Sequence, residues 1–263
     1  MKITALVENQ SNGPLTGIHG LSLYIETPNH KVLFDLGPDQ TLLLNSKTQG
    51  IDLAAVDTVV ISHGHSDHGG ALRQFLEVNH TAKIYLQKNA FEKYYLKNAL
   101  STTDIGLDAA FADHPQIVLV GGDFDIDDEL KLFTVPTTSK CYSSANDLLY
   151  AGEEKDPFLH EQNLIVLGES NALLMGCGHA GIVNIMEKAV QYQPKVCIGG
   201  YHLFDPSTQK TVSDELLEEI AGELSGYDVR YYTCHCTGEA AFRYLSARIR
   251  GMSYFFCGDS IEL

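Results

Sequence analysis

Residues Asp57–Gly70 read DTVVISHGHSDHGG, and no other part of the chain says more about its architecture. The stretch begins with an almost continuous apolar run, which is typical of a strand buried on both faces. His63, His65, Asp67 and His68 follow directly, between glycines that let the backbone turn sharply. If the backbone stays extended after the strand, His63 and His65 point the same way and can bind one metal ion. Asp67 and His68 lie past the turn and can serve a second ion.

Three later predicted strands also lead into histidines. They are Ala172–Met175 before His179, Lys195–Ile198 before His202, and Val229–Thr233 before His235. In open α/β sheets, functional groups gather just beyond the carboxyl ends of the strands. If the four strands lie side by side, these three histidines join the three of the earlier stretch and Asp67. Imidazole and carboxylate groups suit Zn²⁺, Mn²⁺ or iron, so the sequence predicts a metal site at this edge.

The remainder of the chain alternates short strands with helices. Further strands are predicted at Ile3–Glu8, Leu21–Thr27, Lys31–Asp35, Lys83–Gln87, Ile117–Val120, Leu130–Val135, Asn163–Leu167 and Ser253–Phe256. Helices are predicted at Gln40–Gln49, Gly70–Asn79, Phe91–Leu100, Ile182–Gln191, Asp214–Leu224 and Glu239–Arg248. Ser139–Asp156 shows no clear period and predicts a long loop, which in a compact domain is often functional. No glycine-, serine- or proline-rich linker divides the chain, so we expect a single domain over residues 1–263.

The amino-acid composition excludes several classes of binding partner. The 263 residues carry 18 Lys and Arg against 34 Asp and Glu, a net charge of −16. A protein with this negative charge repels the phosphate backbone of DNA or RNA, which disfavours nucleic-acid binding. No apolar run approaches the roughly 20 residues of a membrane span, and the N-terminus does not resemble a signal peptide. We therefore expect a cytoplasmic protein with reduced cysteines and a small-molecule substrate, without a membrane partner. No pattern indicates an oligomeric state.

The stretch HGHSDHGG after an apolar strand resembles the HxHxDH signature of the metallo-β-lactamase superfamily. Leu33–Gly37 (LFDLG) resembles the first motif of that superfamily. Other stretches are similar to the subfamily named for 7,8-dihydropterin-6-methyl-4-(β-D-ribofuranosyl)aminobenzene-5′-phosphate synthase: His19–Ser22, Glu161-Gln162, Gly176–Val183, Gly199–Leu203 and Cys234–Gly238. The resemblance implies an α/β (α+β) fold, a four-layer αββα sandwich with the metal site at one rim of its two sheets.

The resemblance also implies a ligand set. Its members would be His63, His65 and His179 for a first ion, and Asp67, His68 and His235 for a second. Asp35 would orient the histidine loop without binding metal. Many members of the superfamily have an aspartate that bridges the two ions after a later strand, but here that strand ends Met175-Gly176-Cys177-Gly178. Either the Cys177 thiolate replaces this aspartate or only a water bridges the ions.

The function that the resemblance implies is that of a hydrolase with one or two divalent metal ions. Zinc is the expected metal, and manganese and iron are the alternatives. A bound ion makes water a nucleophile near neutral pH. Asp67 is predicted to hold the attacking group or accept its proton. His202 is predicted to contact the substrate or act as an acid, with metal binding as its alternative role. The substrate would be a small ester, lactone, thioester or phosphoester.

A phosphorylated substrate is favoured at this point because Gly178–Gly181 opens a helix whose amides could face an anion. His19 lies in a glycine-flanked loop and is predicted to line the pocket. We predict that four other histidines are surface residues and that two cysteines only fill space: His30, His80, His114 and His160, with Cys234 and Cys236.

Three alternative functions remain open. The first is a synthase-like condensation of a pterin diphosphate with a ribosylaminobenzene phosphate, as the subfamily name suggests. The second is a di-iron redox protein, as in flavodiiron proteins, which requires a flavin domain as electron donor. The third is a non-catalytic metal-binding protein or sensor, which loss of a bridging aspartate would favour.

Overall fold

Two seven-stranded sheets form the centre of the structure, a computed structural model that describes residues 1–263. In spatial order, the first sheet contains β20 (Ser260–Glu262), β1 (Lys2–Val7), β2 (Ser22–Glu26), β3 (Lys31–Phe34), β4 (Thr58–Val60), β5 (Lys83–Gln87) and β8 (Ile117–Val120). The second contains β19 (Ser253–Tyr254), β18 (Arg230–Thr233), β15 (Val196–Gly199), β14 (Ala172–Leu174), β13 (Asn163–Val166), β10 (Leu130–Phe133) and β9 (Phe124–Asp125). Both sheets are mixed, with parallel pairs on one side and antiparallel pairs on the other.

Helices cover the outer faces of both sheets. The six α-helices are α1 (Thr41–Thr48), α2 (Ser66–Gly69), α3 (Leu72–Val78), α4 (Ile182–Ala189), α5 (Asp214–Leu224) and α6 (Glu239–Ser246). Single 3₁₀ turns occur at Leu53–Ala55, Ala109–Phe111, Ser144–Leu148, Val190–Tyr192 and His235–Thr237. None of these helices has the length and apolar character that crossing a membrane would require.

Two small sheets complete the fold. One has four strands in the order β12 (Glu154–Lys155), β11 (Leu149–Ala151), β6 (Tyr94–Lys97) and β7 (Thr102–Asp104). We call it the lid sheet, because it lies over the histidine loop. The other is a hairpin of β16 (Phe204–Asp205) and β17 (Lys210–Thr211).

Side-chain alternation along the strands builds the four layers. In β3, Val32 and Phe34 face the other sheet, whereas Leu33 faces the helices. In β15, Val196 and Ile198 pack between the sheets, while Cys197 packs under α4 and α5. Every second residue of a strand points to the same face, so each strand contributes side chains both to the layer between the sheets and to the layer beneath the helices. The αββα sandwich expected from the resemblance is confirmed.

The strands that lead into histidines divide between the two sheets. β14, β15 and β18 are parallel neighbours in the second sheet, in the register Leu174–Ile198 and Ile198–Tyr232. β4 belongs to the first sheet. The expectation of four strands side by side is therefore wrong for β4, although its end meets the other three at one rim of the sandwich.

Two predictions for the middle of the chain are also wrong. Phe91–Leu100 is not a helix, because Tyr94–Lys97 pairs with both β7 and β11. Ser139–Asp156 is not one irregular loop, since it contains a 3₁₀ turn and the strands β11 and β12. Both errors have one cause: the lid sheet depends on pairing between segments distant in sequence, which local patterns do not record.

Candidate metal centre

Asp35 holds the loop that follows β4. Its Oδ1 accepts a hydrogen bond from the Ser62 N–H (2.7 Å), and its Oδ2 accepts one from Ser62 Oγ (2.8 Å). The same Oδ2 lies 2.6 Å from His68 Nδ1. Asp35 is fully buried and has a left-handed backbone (φ 63°). With Nδ1 engaged, His68 presents Nε2 to the interior of the site, which is how a carboxylate orients a metal-binding imidazole.

Three histidines form the first donor set: His63, His65 and His179. Their donor atoms all lie within 4.8 Å of one another. The Nε2 atoms of His63 and His179 are 3.4 Å apart, and His63 Nδ1 is bonded to Ser62 Oγ at 2.8 Å. His65 Nε2 is buried without a hydrogen-bond partner and lies 4.0 Å from Asp156 Oδ2. Because that nitrogen faces Asp156 and His160, Nδ1 is the ring nitrogen that His65 has left for the first donor set.

Four residues form the second donor set: Asp67, His68, Cys177 and His235. His235 Nε2 lies 3.2 Å from both His68 Nε2 and Asp67 Oδ2. The His68 Nε2 to Asp67 Oδ2 distance is 3.6 Å, and Cys177 Sγ is 3.2 Å from His68 Nε2. Cys177 thus stands among the second-set donors, in the region where the resemblance led us to expect a bridging aspartate.

These spacings fit a metal ion. Ligands about 2.0–2.1 Å from a tetrahedral ion are separated by roughly 3.4 Å, close to the donor separations in both sets. Burial and neighbouring histidines hold the pKa values of His63, His65 and His179 well below their usual range. These three imidazoles are therefore neutral, the form that binds metal. The residues present fit one ion in each set.

Unlike the neutral first set, the second set contains charged side chains. Against the effect of burial, the carboxylates of Asp35 and Asp67 raise the pKa of His68 to about 9. Burial alone would raise the pKa of Asp67, but the charge of His68 and hydrogen bonds from His19 and His235 outweigh it and hold this pKa well below its usual range. Burial raises the pKa of the Cys177 thiol. Binding of an ion by this set would require loss of a proton from His68 and from the Cys177 thiol.

Two buried glutamates and two asparagines hold the two later histidines. Glu161 accepts the His179 N–H at 2.6 Å, and Asn146 Oδ1 is 2.9 Å from His179 Nδ1. Glu8 accepts the His235 N–H at 2.7 Å, and Asn9 Oδ1 is 2.9 Å from His235 Nδ1. Burial raises the pKa of both glutamates, that of Glu161 to about 7.

No role is predicted from the sequence for Glu8, Asn9 or Asn146. A carboxylate and an amide directly after the apolar strand β1 were a usable signal for the first two, because such groups are rarely buried without a partner. Asn146 had no local signal, since its role depends on contacts across the fold.

His202 lies deep in the site beside two sulfurs. The donor atoms of His202, Cys177 and Cys236 lie within 4.8 Å of one another. His202 is 9% exposed, has a left-handed backbone (φ 46°), and neither of its ring nitrogens has a hydrogen-bond partner. Its ring centre is 4.3 Å from that of His179. The preceding Gly200 permits this packing, since a β-carbon there would lie 2.5 Å from Cys236 Sγ.

Both donor sets open into one cavity of about 230 Å³. His19 lies at its mouth with 53% of its side chain exposed, its Nε2 3.3 Å from Asp67 Oδ2. The side chain of Asp67 is 23% exposed, more than that of His68 or His235 in the same set, and it lines the cavity. The structure therefore brings together every site residue named from the sequence, with Asp35 behind them.

Two expectations about neighbouring residues are wrong. His160 is not at the surface: it is fully buried, its Nδ1 accepts the Gly64 N–H at 2.8 Å, and its Nε2 is 3.0 Å from Asp156. It supports the histidine loop from behind. Cys236 does more than fill space, because it lines the cavity, whereas Cys234 packs between the sheets as predicted.

The amides before α4 do not face the cavity as free anion donors. The N–H groups of His179 and Ala180 donate to the two carboxylate oxygens of Glu161, at 2.6 and 2.9 Å. The Gly181 N–H donates to the Gly178 carbonyl. The reason for favouring a phosphorylated substrate is therefore removed, since the anion at this helix end is a side chain of the protein itself.

Comparison with known proteins agrees with this geometry. A sequence profile of the metallo-beta-lactamase superfamily matches residues 15–142. Two proteins of Methanocaldococcus jannaschii are each 28% identical: the uncharacterized protein MJ0448 over 93% of both chains, and 7,8-dihydropterin-6-methyl-4-(beta-D-ribofuranosyl)-aminobenzene-5′-phosphate synthase over 90% of this chain and 88% of its own. The crystal structure of Tm1679, a metal-dependent hydrolase of the beta-lactamase superfamily, is 27% identical with a TM-score of 0.80, covering 100% of this chain and 99% of its own. The chain is therefore similar to proteins of the metallo-beta-lactamase superfamily, in sequence over residues 15–142 and in fold over its whole length.

Proposed function

We propose that this protein is a metal-dependent hydrolase that uses an activated water on a small ester-type substrate. The observation that carries the proposal is the convergence of two donor sets on one cavity, with donor atoms 3.2 to 3.6 Å apart. His63, His65 and His179 would hold one ion, and Asp67, His68, Cys177 and His235 the other. Zinc suits this mixture of imidazole, carboxylate and thiolate, with manganese or iron as alternatives.

A divalent ion supplies Lewis-acid chemistry here: it lowers the pKa of water towards neutrality and stabilises negative charge on the oxygen of the scissile group. Asp67 has the position to orient the attacking water and accept its proton, since its carboxylate is partly exposed to the cavity. His19 Nε2, 3.3 Å from Asp67 Oδ2, holds that carboxylate in place without being a member of either donor set.

His202 is the proposed proton donor to the leaving group. It lines the cavity, and both its ring nitrogens are free of protein partners. The Ser143 hydroxyl donates to its backbone carbonyl, and its own N–H donates to Cys236 Sγ at 3.2 Å. These bonds fix the backbone while the ring keeps both nitrogens available, as a general acid requires.

A synthase-like activity is the second candidate, because a 28% identical relative over 90% of this chain is named as such an enzyme. The size of the cavity weighs against it, since about 230 Å³ is small for two ring-bearing substrates at once. The proposal of a non-catalytic sensor loses its main support, because Cys177 stands among the second-set donors. No contact in the site specifically favours the di-iron redox alternative.

The test is hydrolysis by protein stripped of metal and reloaded with zinc, manganese or iron. We expect turnover of p-nitrophenyl esters or lactones that depends on the metal and stops with chelator. Asp67→Asn should lower turnover more than it lowers the metal content of the first donor set. Metal-loaded protein that hydrolyses no ester, lactone, thioester or phosphoester would contradict the proposal, as would an Asp67→Asn variant with unchanged turnover.

A further inference from the structure

We propose that the substrate is uncharged away from its reacting bond: a short ester or lactone with an apolar body, not a phosphorylated compound. This inference rests on the proposed hydrolase function and specifies its substrate class. It follows from the part of the cavity lining that lies outside the donor sets.

Five apolar residues line the cavity outside the donor sets, and we call them the wall. It consists of Leu96 and Leu149 from the lid sheet, Ile105 just after that sheet, and Phe204 and Pro206 from the hairpin segment. The polar floor and the apolar wall thus belong to different parts of the fold. A substrate that spans the cavity places its reacting group at the floor and its body against this wall, where apolar surface gains most from leaving water.

The wall is fixed relative to the floor. The Ile105 carbonyl accepts the Ser66 N–H at 2.7 Å, and the Ile105 N–H donates to the Tyr94 carbonyl at 2.9 Å. Leu149 and Leu96 are direct cross-strand partners between β11 and β6. Phe204 packs on Gly238, where a β-carbon would lie 2.5 Å from that of Phe204. The apolar surface is therefore a preformed part of the site.

No Lys or Arg side chain lines the cavity, and the carboxylates in its lining are those of Asp67 and Asp205. His19, whose pKa is raised by its hydrogen bond to Asp67, is already paired with that carboxylate. Asp205 is already bonded to the hydroxyls of Ser207 and Thr208, both at 2.7 Å. A phosphate on the substrate body would lose water there and meet no Lys or Arg, which are the usual partners of bound phosphate.

The cavity also limits the length of the substrate. At about 230 Å³ it lies below the roughly 300–1,000 Å³ typical of sites for drug-sized ligands. The free ring nitrogens of His202 suit a leaving group that needs a proton, such as an alkoxide. A short aliphatic ester or a lactone meets both conditions.

Binding of two matched metal chelators tests the inference without requiring turnover. The probes are hexanohydroxamic acid and a hydroxamic acid of the same length that ends in a carboxylate, each titrated into zinc-loaded protein by calorimetry. We expect the apolar probe to bind at least about tenfold more tightly. Equal or tighter binding of the charged probe would overturn the inference, as would failure of both probes to bind.

Two variants provide the matched comparison. Leu96→Arg places a cation in the wall and should abolish or reverse the preference between the probes. Leu100→Arg adds the same charge at a residue that is 96% exposed and outside the cavity, and it should leave the preference unchanged. An unchanged preference in a folded Leu96→Arg protein would contradict the assignment of the wall.

The hydrolase proposal can fail separately. If the apolar probe is preferred but metal-loaded protein hydrolyses no ester or lactone, the ligand class stands and the proposed reaction is wrong. If a phosphorylated ester is turned over faster than its uncharged counterpart, the reaction stands and the inference about the substrate is wrong.

Discussion

The two histidines that complete the donor sets, His179 and His235, are held in the same way by different parts of the chain. Each follows a strand of the second sheet, donates its N–H to a buried glutamate and has Nδ1 beside an asparagine oxygen. The partners are Glu161 and Asn146 for His179, and Glu8 and Asn9 for His235. Glu8 and Asn9 are adjacent in sequence, whereas fifteen positions separate Asn146 from Glu161.

The surroundings of the two histidines differ. His179 stacks on Phe158, with ring centres 4.4 Å apart and planes 4° from parallel. His235 instead has the half-exposed His19 beside it, with ring centres 4.8 Å apart. Both sets line the cavity, but the ligands of the first are all buried and one of them stacks on Phe158, while the second contains a thiol and the partly exposed carboxylate of Asp67. One orienting geometry thus serves a neutral set of buried ligands, here called the closed set, and a charged set with an exposed member, the open set.

The largest expected effect comes from removing ligands of the closed set. His63→Ala combined with His65→Ala should remove one ion per chain while the second set keeps its own. Turnover should fall by more than the roughly 10–100-fold typical of residues that only support ligands. Elemental mass spectrometry measures the metal content, with His80→Ala and His114→Ala together as the control pair outside both sets. Full metal content in the His63/His65 variant would contradict the ligand assignment.

Substitution of Asn146 or Asn9 distinguishes the two donor sets without removing a metal ligand. Asn146→Ala should weaken only the ion of the first set, and Asn9→Ala only that of the second, each by about 10–100-fold. Competition with a chromophoric chelator measures both affinities. Asn98→Ala, in an exposed turn beyond β6, is the control. Equal losses from both sets in either variant would show that the supports are not specific.

Cys177→Ser tests whether the open set includes a thiolate. In cobalt-substituted protein, we expect the variant to lose the thiolate-to-metal charge-transfer absorption and to bind the second ion about tenfold more weakly, within the range known for altered metal surroundings. Cys197→Ser removes a buried thiol that packs away from the site and should keep the band. An unchanged spectrum in Cys177→Ser would mean that Cys177 is not a ligand.

The smallest effect concerns stability of the metal-free protein. Burial raises the pKa of Glu161 to about 7, so this carboxyl binds more protons in the folded than in the unfolded state between pH 4.5 and 7. The contribution of Glu161 to the free energy of unfolding should therefore fall as pH rises through this window, by at most about 1.4 kcal/mol per pH unit, while His63, His65 and His179, whose pKa values are lowered, contribute in the opposite sense.

Glu161→Gln should remove that part of the slope in chemical unfolding experiments. Glu8→Gln is the matched comparison and should change the slope less, because Glu8 accepts three hydrogen bonds where Glu161 accepts two. An equal change in both variants would indicate that the two supports carry the same electrostatic cost.

The amino-acid sequence alone determined much of the site. Ligands that follow apolar strands are recognisable locally, because a buried strand and a cluster of imidazoles rarely coincide without a metal. The spacing of His63, His65, Asp67 and His68, and the histidines after three later strands, therefore named the candidate ligands. Their division into two donor sets and the four-layer sandwich came from the resemblance of these motifs to the metallo-β-lactamase superfamily.

Only the tertiary structure decided what surrounds those ligands. The lid sheet, the burial of His160 and the capture of the α4 amides by Glu161 all depend on contacts between segments far apart in the chain. Local patterns carry no record of such pairing, because the free energy of a buried polar group depends on the partner that the fold brings to it. For this reason the predicted anion site at α4 is occupied by the carboxylate of Glu161. For the same reason the predicted helix over Phe91–Leu100 contains a strand that contributes Leu96 to the wall of the cavity.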